Sequence, residues 1–400
     1  MTDMTRTKGR AARAVACGIA VAVLAALAGP AAAGGAVADP RGGGGDRLRQ
    51  DVAAITAAGV TGVQARVTGA DGRVRTATAG VADLSTGRPV SPNGYFRIGS
   101  TNKTLVATVL LQLAREGALS LDDTVAEWLP GVVEGNGHDG SRITLRALLQ
   151  HTGGVYDGNY PSRGGSAADY YASRYDVHTP QEIVAAAMRH APDFPPGEGW
   201  SYSNTGYAVL GMVIERATGR AWHEEVNDRI LTPLGMRHTI WPGLSPTLPR
   251  PHAHGYTRFA PGEDLVDTTE LIDADASGGY LSTTADLDRF ARALFDGTLL
   301  DEAGRAELTR TVALGEDDTP WPGARYGLGV FSRPLPCGGT VWIPSGDQIG
   351  YKTRIGVTAD GERSVVVSMS TQLQDSADSA LRQEATATEL IDNALCGDGS

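Results

Sequence analysis

Only three lysines occur in the chain, Lys8, Lys103 and Lys352, so nearly every cation is an arginine. Lys103 falls three residues after Ser100, in Ser-Thr-Asn-Lys, at the head of an apolar run that reads as a helix over 101–116. Residues three apart share a helix face, so the ammonium can lie beside the hydroxyl. Burial favours the neutral form of an amine. A neutral amine can take a serine proton and make the hydroxyl a nucleophile. Arginine cannot, because it does not deprotonate. The helix N-terminus adds positive potential and free N–H groups where an oxyanion would form. The bland alternative makes Ser100 a plain N-cap and Lys103 a surface residue with its head in water.

A second cluster, Trp200-Ser201-Tyr202-Ser203-Asn204, reads as a loop leading into a helix at Tyr207. A phenol and an amide two residues apart can point into one cleft. Tyr202 would then relay a proton, and Asn204 would hold the lysine or a substrate carbonyl. Alone, the segment is an aromatic turn with a helix cap.

Taken together, three segments are more specific than any one of them. Phe-Arg-Ile-Gly-Ser-Thr-Asn-Lys at 96–103, Leu-Leu-Gln-His-Thr-Gly-Gly at 148–154 and Tyr-Ser-Asn-Thr-Gly-Tyr at 202–207 resemble the serine β-lactamase/penicillin-recognising family. The likeness is greatest to secreted D-alanyl-D-alanine carboxypeptidases related to class C β-lactamases, and it runs from about 48 to 396. The resemblance implies a serine hydrolase working through an acyl-enzyme, a D-alanyl-D-alanine carboxypeptidase acting on cell-wall peptide termini. Ser100 would be the nucleophile, Lys103 its base, Tyr202 the proton relay to the leaving group and Asn204 a positioning group. The backbone N–H groups of Ser100 and Asp347 would form the oxyanion hole. His151, within the second segment, reads as scaffolding.

The third family motif departs from the pattern. Where Lys/His-Thr/Ser-Gly is expected, the chain has Pro344-Ser345-Gly346, followed by Asp347. Ser345 and Gly346 fit a substrate-binding strand. Pro344 carries neither a charge nor an N–H, although an edge strand tolerates it. A peptide ending in a carboxylate needs a cation nearby. Arg333, Lys352 and Arg354, on neighbouring strands, are the candidates. The same departure leaves open a catalytically impaired protein that binds peptidoglycan stems or β-lactams. A β-lactamase, an esterase and a D-amino-acid peptidase remain alternatives within the enzyme class.

The elements that must position these groups follow from periodicity. Helical spacing of Leu48, Val52 and Ile55 precedes an alternating hairpin over 62–81 that turns at 69–72. Between about 120 and 320 the pattern is helices separated by Gly/Pro-rich loops. Strands return at 340–343, 353–358 and 364–370, and an amphipathic helix over 377–395 closes the chain. The expected fold is α/β (α+β): an antiparallel sheet built from both chain ends, flanked by terminal helices, with an inserted, mainly helical subdomain. The sheet lobe is expected over 46–115 and 325–400, and the helical lobe over 116–324. Any site at their seam then draws on three distant parts of the chain.

Composition narrows partners and compartment. The formal net charge of -11 supplies no basic face for a phosphate backbone, so no nucleic acid is expected. Arg6, Lys8, Arg10 and Arg13 precede a short apolar run and small residues up to Ala38, which reads as a secretory signal over 1–38. A flexible linker is expected over 39–45, then a secreted, monomeric domain over 46–400 with no integral membrane anchor. Cys17 leaves with the signal, and Cys337 and Cys396 remain. If paired, they would tie the last helix to a strand; two buried free thiols are the alternative. No G-x-S-x-G, H-E-x-x-H, P-loop or dinucleotide fingerprint occurs. His252 and His254 have no defined third ligand, and Asp273 and Asp275 lack the spacing of a calcium loop. No metal and no cofactor are expected; the partner is a peptide or β-lactam substrate.

Overall fold

Val63, Ala65 and Val67 alternate with Gln64, Arg66 and Thr68 on strand β1 (Gly62–Thr68). The computed structural model describes residues 43–158, 165–315 and 318–397. The expected signal segment over 1–38 lies outside them. Helix α1 (Gly43–Ala57) opens three residues ahead of the expected boundary at Asp46, so Gly43 to Gly45 belong to its first turn. Helix ends commonly shift by a residue or two with the criterion used.

β1 pairs antiparallel with β2 (Val74–Asp83) in the expected hairpin, Val67 facing Arg75. On its other side it pairs with the late strand β10 (Ser364–Met369), Val63 facing Met369. The two chain ends therefore meet inside one sheet. Its remaining strands are β3 (Arg88–Pro89), β4 (Val312–Ala313), β5 (Arg325–Tyr326), β6 (Phe331–Pro334), β7 (Thr340–Ile343), β8 (Gly346–Gln348) and β9 (Tyr351–Thr358). The order is β4-β5-β6-β7-β9-β10-β1-β2-β3, with β8 added to β9. Every pairing in it is antiparallel. The second part of the sheet begins earlier than the expected residue 325, with β4 at Val312–Ala313.

Alternation sorts the two faces. Val63, Ala65, Val67, Val365 and Val367 pack with Leu48, Val52 and Ile55 of α1 and with Leu390, Ile391 and Leu395 of α5 (Ala377–Cys396). The opposite face, through Ile355, Val357 and Val366, joins a larger core with α2 (Asn102–Arg115), α3 (Asn204–Thr218) and α4 (Thr284–Ala293). Burying an apolar face on each side of a sheet gives this layered arrangement. The Cys337–Cys396 disulfide ties the end of α5 to the turn between β6 and β7. Closing a loop of 59 residues stabilises by about 4 kcal/mol on chain-entropy reasoning. Among the described residues no helix is long and apolar enough to cross a membrane.

Candidate active site

Ser100 lies in a single turn of 3-10 helix, Gly99–Thr101, that runs straight into α2. Its hydroxyl caps neither helix, so the plain N-cap reading does not hold. Gly99 needs to be glycine on two counts. Its φ is +50°, and a Cβ there would come within 3.0 Å of Asp347 N. Gly346 answers from the other side, since a Cβ on it would sit 2.5 Å from Thr101 N and 2.7 Å from Ser100 N. β8 and the turn therefore touch backbone to backbone. This contact sets the N–H groups of Ser100 and Asp347 on adjoining backbones at the start of α2.

Lys103 is 1% exposed, which removes the surface reading. Its Nζ lies 3.1 Å from Ser100 Oγ and donates to Asn204 Oδ1 at 2.7 Å and to the Ser277 carbonyl at 2.9 Å. The rings of Tyr202 and Tyr207 lie beside it, with centroids at 4.8 and 5.4 Å. Two fixed carbonyl acceptors take two N–H bonds and leave the third tetrahedral direction at Ser100. In a neutral amine that direction is the lone pair. The geometry can therefore accept the serine proton.

Asn204 is the first residue of α3 and not a loop residue, with Ser203 as the N-cap accepting from Gly206 N at 3.1 Å. Asp157 orients it by accepting Asn204 N at 2.9 Å and Asn204 Nδ2 at 3.1 Å. With Nδ2 held by Asp157, Oδ1 is the atom presented to Lys103. Burial pushes the Asp157 carboxyl up, against the pull of Lys103 and the N–H donors. Sequence reasoning missed Asp157, although it stands three residues past the 148–154 motif. Ser277 was also missed, because its contribution is a carbonyl that any residue type could supply. Its loop is held by Asn102 Nδ2 donating to Ala276 O at 2.6 Å and by Ser277 N donating to Asp275 at 2.6 Å.

His151 is scaffolding, as expected. It adopts a left-handed φ of 60°, and its ring lies 4.4 Å from that of Tyr202. Its Nδ1 accepts Ser203 N at 3.2 Å, which places the ring proton on Nε2, facing Tyr326 Oη at 3.1 Å. Its carbonyl accepts Ser201 N at 3.1 Å. One buried residue, through its ring and its carbonyl, thus supports the whole 201–203 segment.

Ser100, Tyr202, Ser345, Gly346, Asp347, Lys352 and Arg354 line one cleft of about 360 Å³. Pro344 falls in the break between β7 and β8, where a residue without an N–H interrupts no ladder bond. Of the candidate cations, Lys352 and Arg354 reach the cleft but are already paired. Arg354 forks onto Glu384 at 2.7 and 2.6 Å and onto Asp347 at 2.5 and 3.3 Å. Lys352 Nζ lies 3.4 Å from Glu384 and 3.5 Å from Asp347. Burial pushes both carboxyls up, yet the charges of Arg354 and Lys352 outweigh it and hold both below the usual range.

Arg333 does not line this cleft, contrary to expectation. Phe331, on the same face of β6, lines it. Two residues further carry Arg333 about 7 Å along the strand, where it pairs with Asp392 of α5 at 2.7 Å. Among the described residues no group of three or more His, Cys, Asp or Glu could hold a metal ion. His252 Nδ1 meets the Pro249 carbonyl at 2.8 Å, and His254 Nδ1 meets Asp267 at 2.7 Å.

A buried Ser–Lys pair at the head of a helix, backed by an amide and walled by a strand, occurs here on an antiparallel sheet closed by both chain ends. The Beta-lactamase family pattern matches residues 48–389, and the chain belongs to that family of serine hydrolases. A D-stereospecific amidohydrolase from a Streptomyces species superposes with a TM-score of 0.79 at 36% identity, over 89% of this chain and 99% of that one. D-amino acid amidase from Ochrobactrum anthropi SV3 superposes with a TM-score of 0.73 at 25% identity, over 87% and 98%. Penicillin-binding protein 4* of Bacillus subtilis is 30% identical over 287 residues, which are 68% of this chain and 60% of that protein. The chain thus spans less than two thirds of that relative's length.

Proposed function

We propose that the chain is an exported, monomeric serine amidohydrolase that cleaves amide bonds beside a D-configured residue through an acyl-enzyme. The observation that carries this reading is Lys103, buried and held by Asn204 and Ser277 with its remaining direction at Ser100 Oγ. Lys103 takes the Ser100 proton as Oγ attacks the carbonyl. The N–H groups of Ser100 and Asp347 receive the oxyanion; as the scissile C–N bond breaks, Tyr202 relays the proton from Lys103 to the departing nitrogen. Water then releases the acyl group by the same path.

The paired cations favour a neutral leaving side. A substrate carboxylate would have to share Lys352 and Arg354 with Asp347 and Glu384, whereas an amide or a further peptide unit need not. D-Ala-D-Ala carboxypeptidase action, the sequence-based expectation, would place its carboxylate among these paired charges. The Streptomyces and Ochrobactrum relatives, named for D-stereospecific amide hydrolysis, support the same preference.

The test compares a D-Ala-D-Ala-terminated peptide, its C-terminal amide and the L-configured amide, with Ser100→Ala as control. The D-amide should be cleaved fastest, by about tenfold over the free acid, and Ser100→Ala should cleave none. Intact mass after benzylpenicillin should show an adduct on Ser100 only. Unchanged turnover in Ser100→Ala would overturn the reading, and a faster free acid would return the specificity to a carboxypeptidase. N-terminal sequencing of protein from the culture medium tests export, with cleavage expected at Ala33 or Ala38.

A further inference from the structure

A second cavity, of about 670 Å³, opens beside the cleft. The two share Pro320, Trp321, Leu381 and Glu384 in their walls. They also follow each other along two elements. On β6 the wall passes from Phe331 in the cleft to Arg333 in the cavity. On α5 it passes from Ala380 in the cleft to Asp392 in the cavity. From Leu381 to Asp392 a helix advances roughly 16 Å, the length of about five extended residues.

The chemistry of this groove is apolar over a neutralised base. Pro320, Trp321, Pro322, Leu335 and Leu381 supply its surface. Its charges are largely spoken for: Arg333 meets Asp392 at 2.7 Å, and Glu384 is held by Arg354 at 2.6 Å. Prolines offer no N–H, so the groove holds its occupant mainly by apolar contact. Leu381 stands 42% exposed at the junction with the cleft, where a chain passing from one to the other would cover it.

We propose that this groove is a subsite for the remote part of the substrate, an extended, uncharged peptide segment with apolar side chains. The inference rests on the amide-hydrolysis reading above and makes the substrate a peptide of several residues, not a single amino-acid amide. Continuity with the cleft selects this occupant, because a chain held at Ser100 and leaving past Leu381 enters the groove directly.

The experiment uses D-alanine amide and three- and five-residue peptides that place D-alanine at the scissile bond. Leucine and phenylalanine extend one series on the acyl side and the other on the leaving side. In one series kcat/KM should rise about tenfold with length, through KM. Ala385→Trp and Thr388→Trp, which fill the groove away from Ser100, should remove the gain and leave D-alanine amide turnover unchanged. Flat rates in both series, or a gain that survives both variants, would overturn the inference. Calorimetry of the five-residue peptides with Ser100→Ala reads the groove without turnover. Binding there that Ala385→Trp abolishes supports the subsite even if the catalytic reading fails, and equal binding by D-alanine amide counts against it.

Discussion

Arg354 grips Asp347, with Nη1 at 2.5 Å from one carboxylate oxygen and Nη2 at 3.3 Å from the other. Asp347 is the residue whose backbone adjoins the turn carrying Ser100, and Pro344 has removed the basic side chain expected just before it. The fork therefore fixes the short strand β8 at the residue that faces the Ser100 turn. It also sets a positive charge beside a carboxylate that would otherwise oppose a developing oxyanion.

Arg354→Lys keeps the charge but loses the planar fork. We expect kcat to fall about 10- to 100-fold with little change in KM, because the loss concerns the transition state. Steady-state kinetics on a D-amino-acid amide check this, beside a melting curve. A rise in KM alone would instead give Arg354 a role in binding substrate.

Gly346→Ala introduces a Cβ that meets Ser100 N at 2.7 Å and Thr101 N at 2.5 Å. Both neighbours are backbone at the head of a buried helix, so the strand must retreat. A displacement of about 1 Å at the reacting centre costs on the order of 100-fold in rate. Wild-type kcat/KM in this variant would show that the close approach is dispensable.

Asp157→Ala frees the Asn204 amide to turn while leaving Ser100 and Lys103 in place. The expected loss is about tenfold or more in kcat. Asp157→Asn retains one acceptor and should recover part of it. Two variants equally impaired in kcat and equally destabilised would mark Asp157 as structural only.

His151 predicts a pH dependence of stability. Burial, and then the charge of Lys103, hold its pKa well below 6.5, so it is neutral in the folded protein. The unfolded chain gains a proton near pH 6.5. Its contribution is complete above that pH and is lost progressively as pH falls from there towards the depressed pKa of the folded state. Thermal melts from pH 7.5 to 5.5 should slope downwards, and His151→Asn, a residue tolerant of positive φ, should flatten the slope. Parallel slopes would remove His151 as the source.

The sheet architecture was legible because its strands carry a period of two and its helices a period of 3.6. The Val63, Ala65, Val67 alternation and the Leu48, Val52, Ile55 spacing each describe a local geometry that burial then selects. The Ser100–Lys103 pair was legible for the same reason, since three residues of helix suffice to bring them together. Asp157, the Ser277 carbonyl and the groove along α5 were not, because they join segments far apart in the chain. Arg333 and Arg354 make the division plain. As two basic residues on the strands either side of β7 they look equivalent in the sequence. Tertiary packing put Arg354 in the cleft, between Asp347 and Glu384, and Arg333 against Asp392, because position along a strand sets which cavity a side chain meets. Residue types and short spacings determined the chemistry this protein can attempt. Long-range packing decided which charges remain free to meet a substrate.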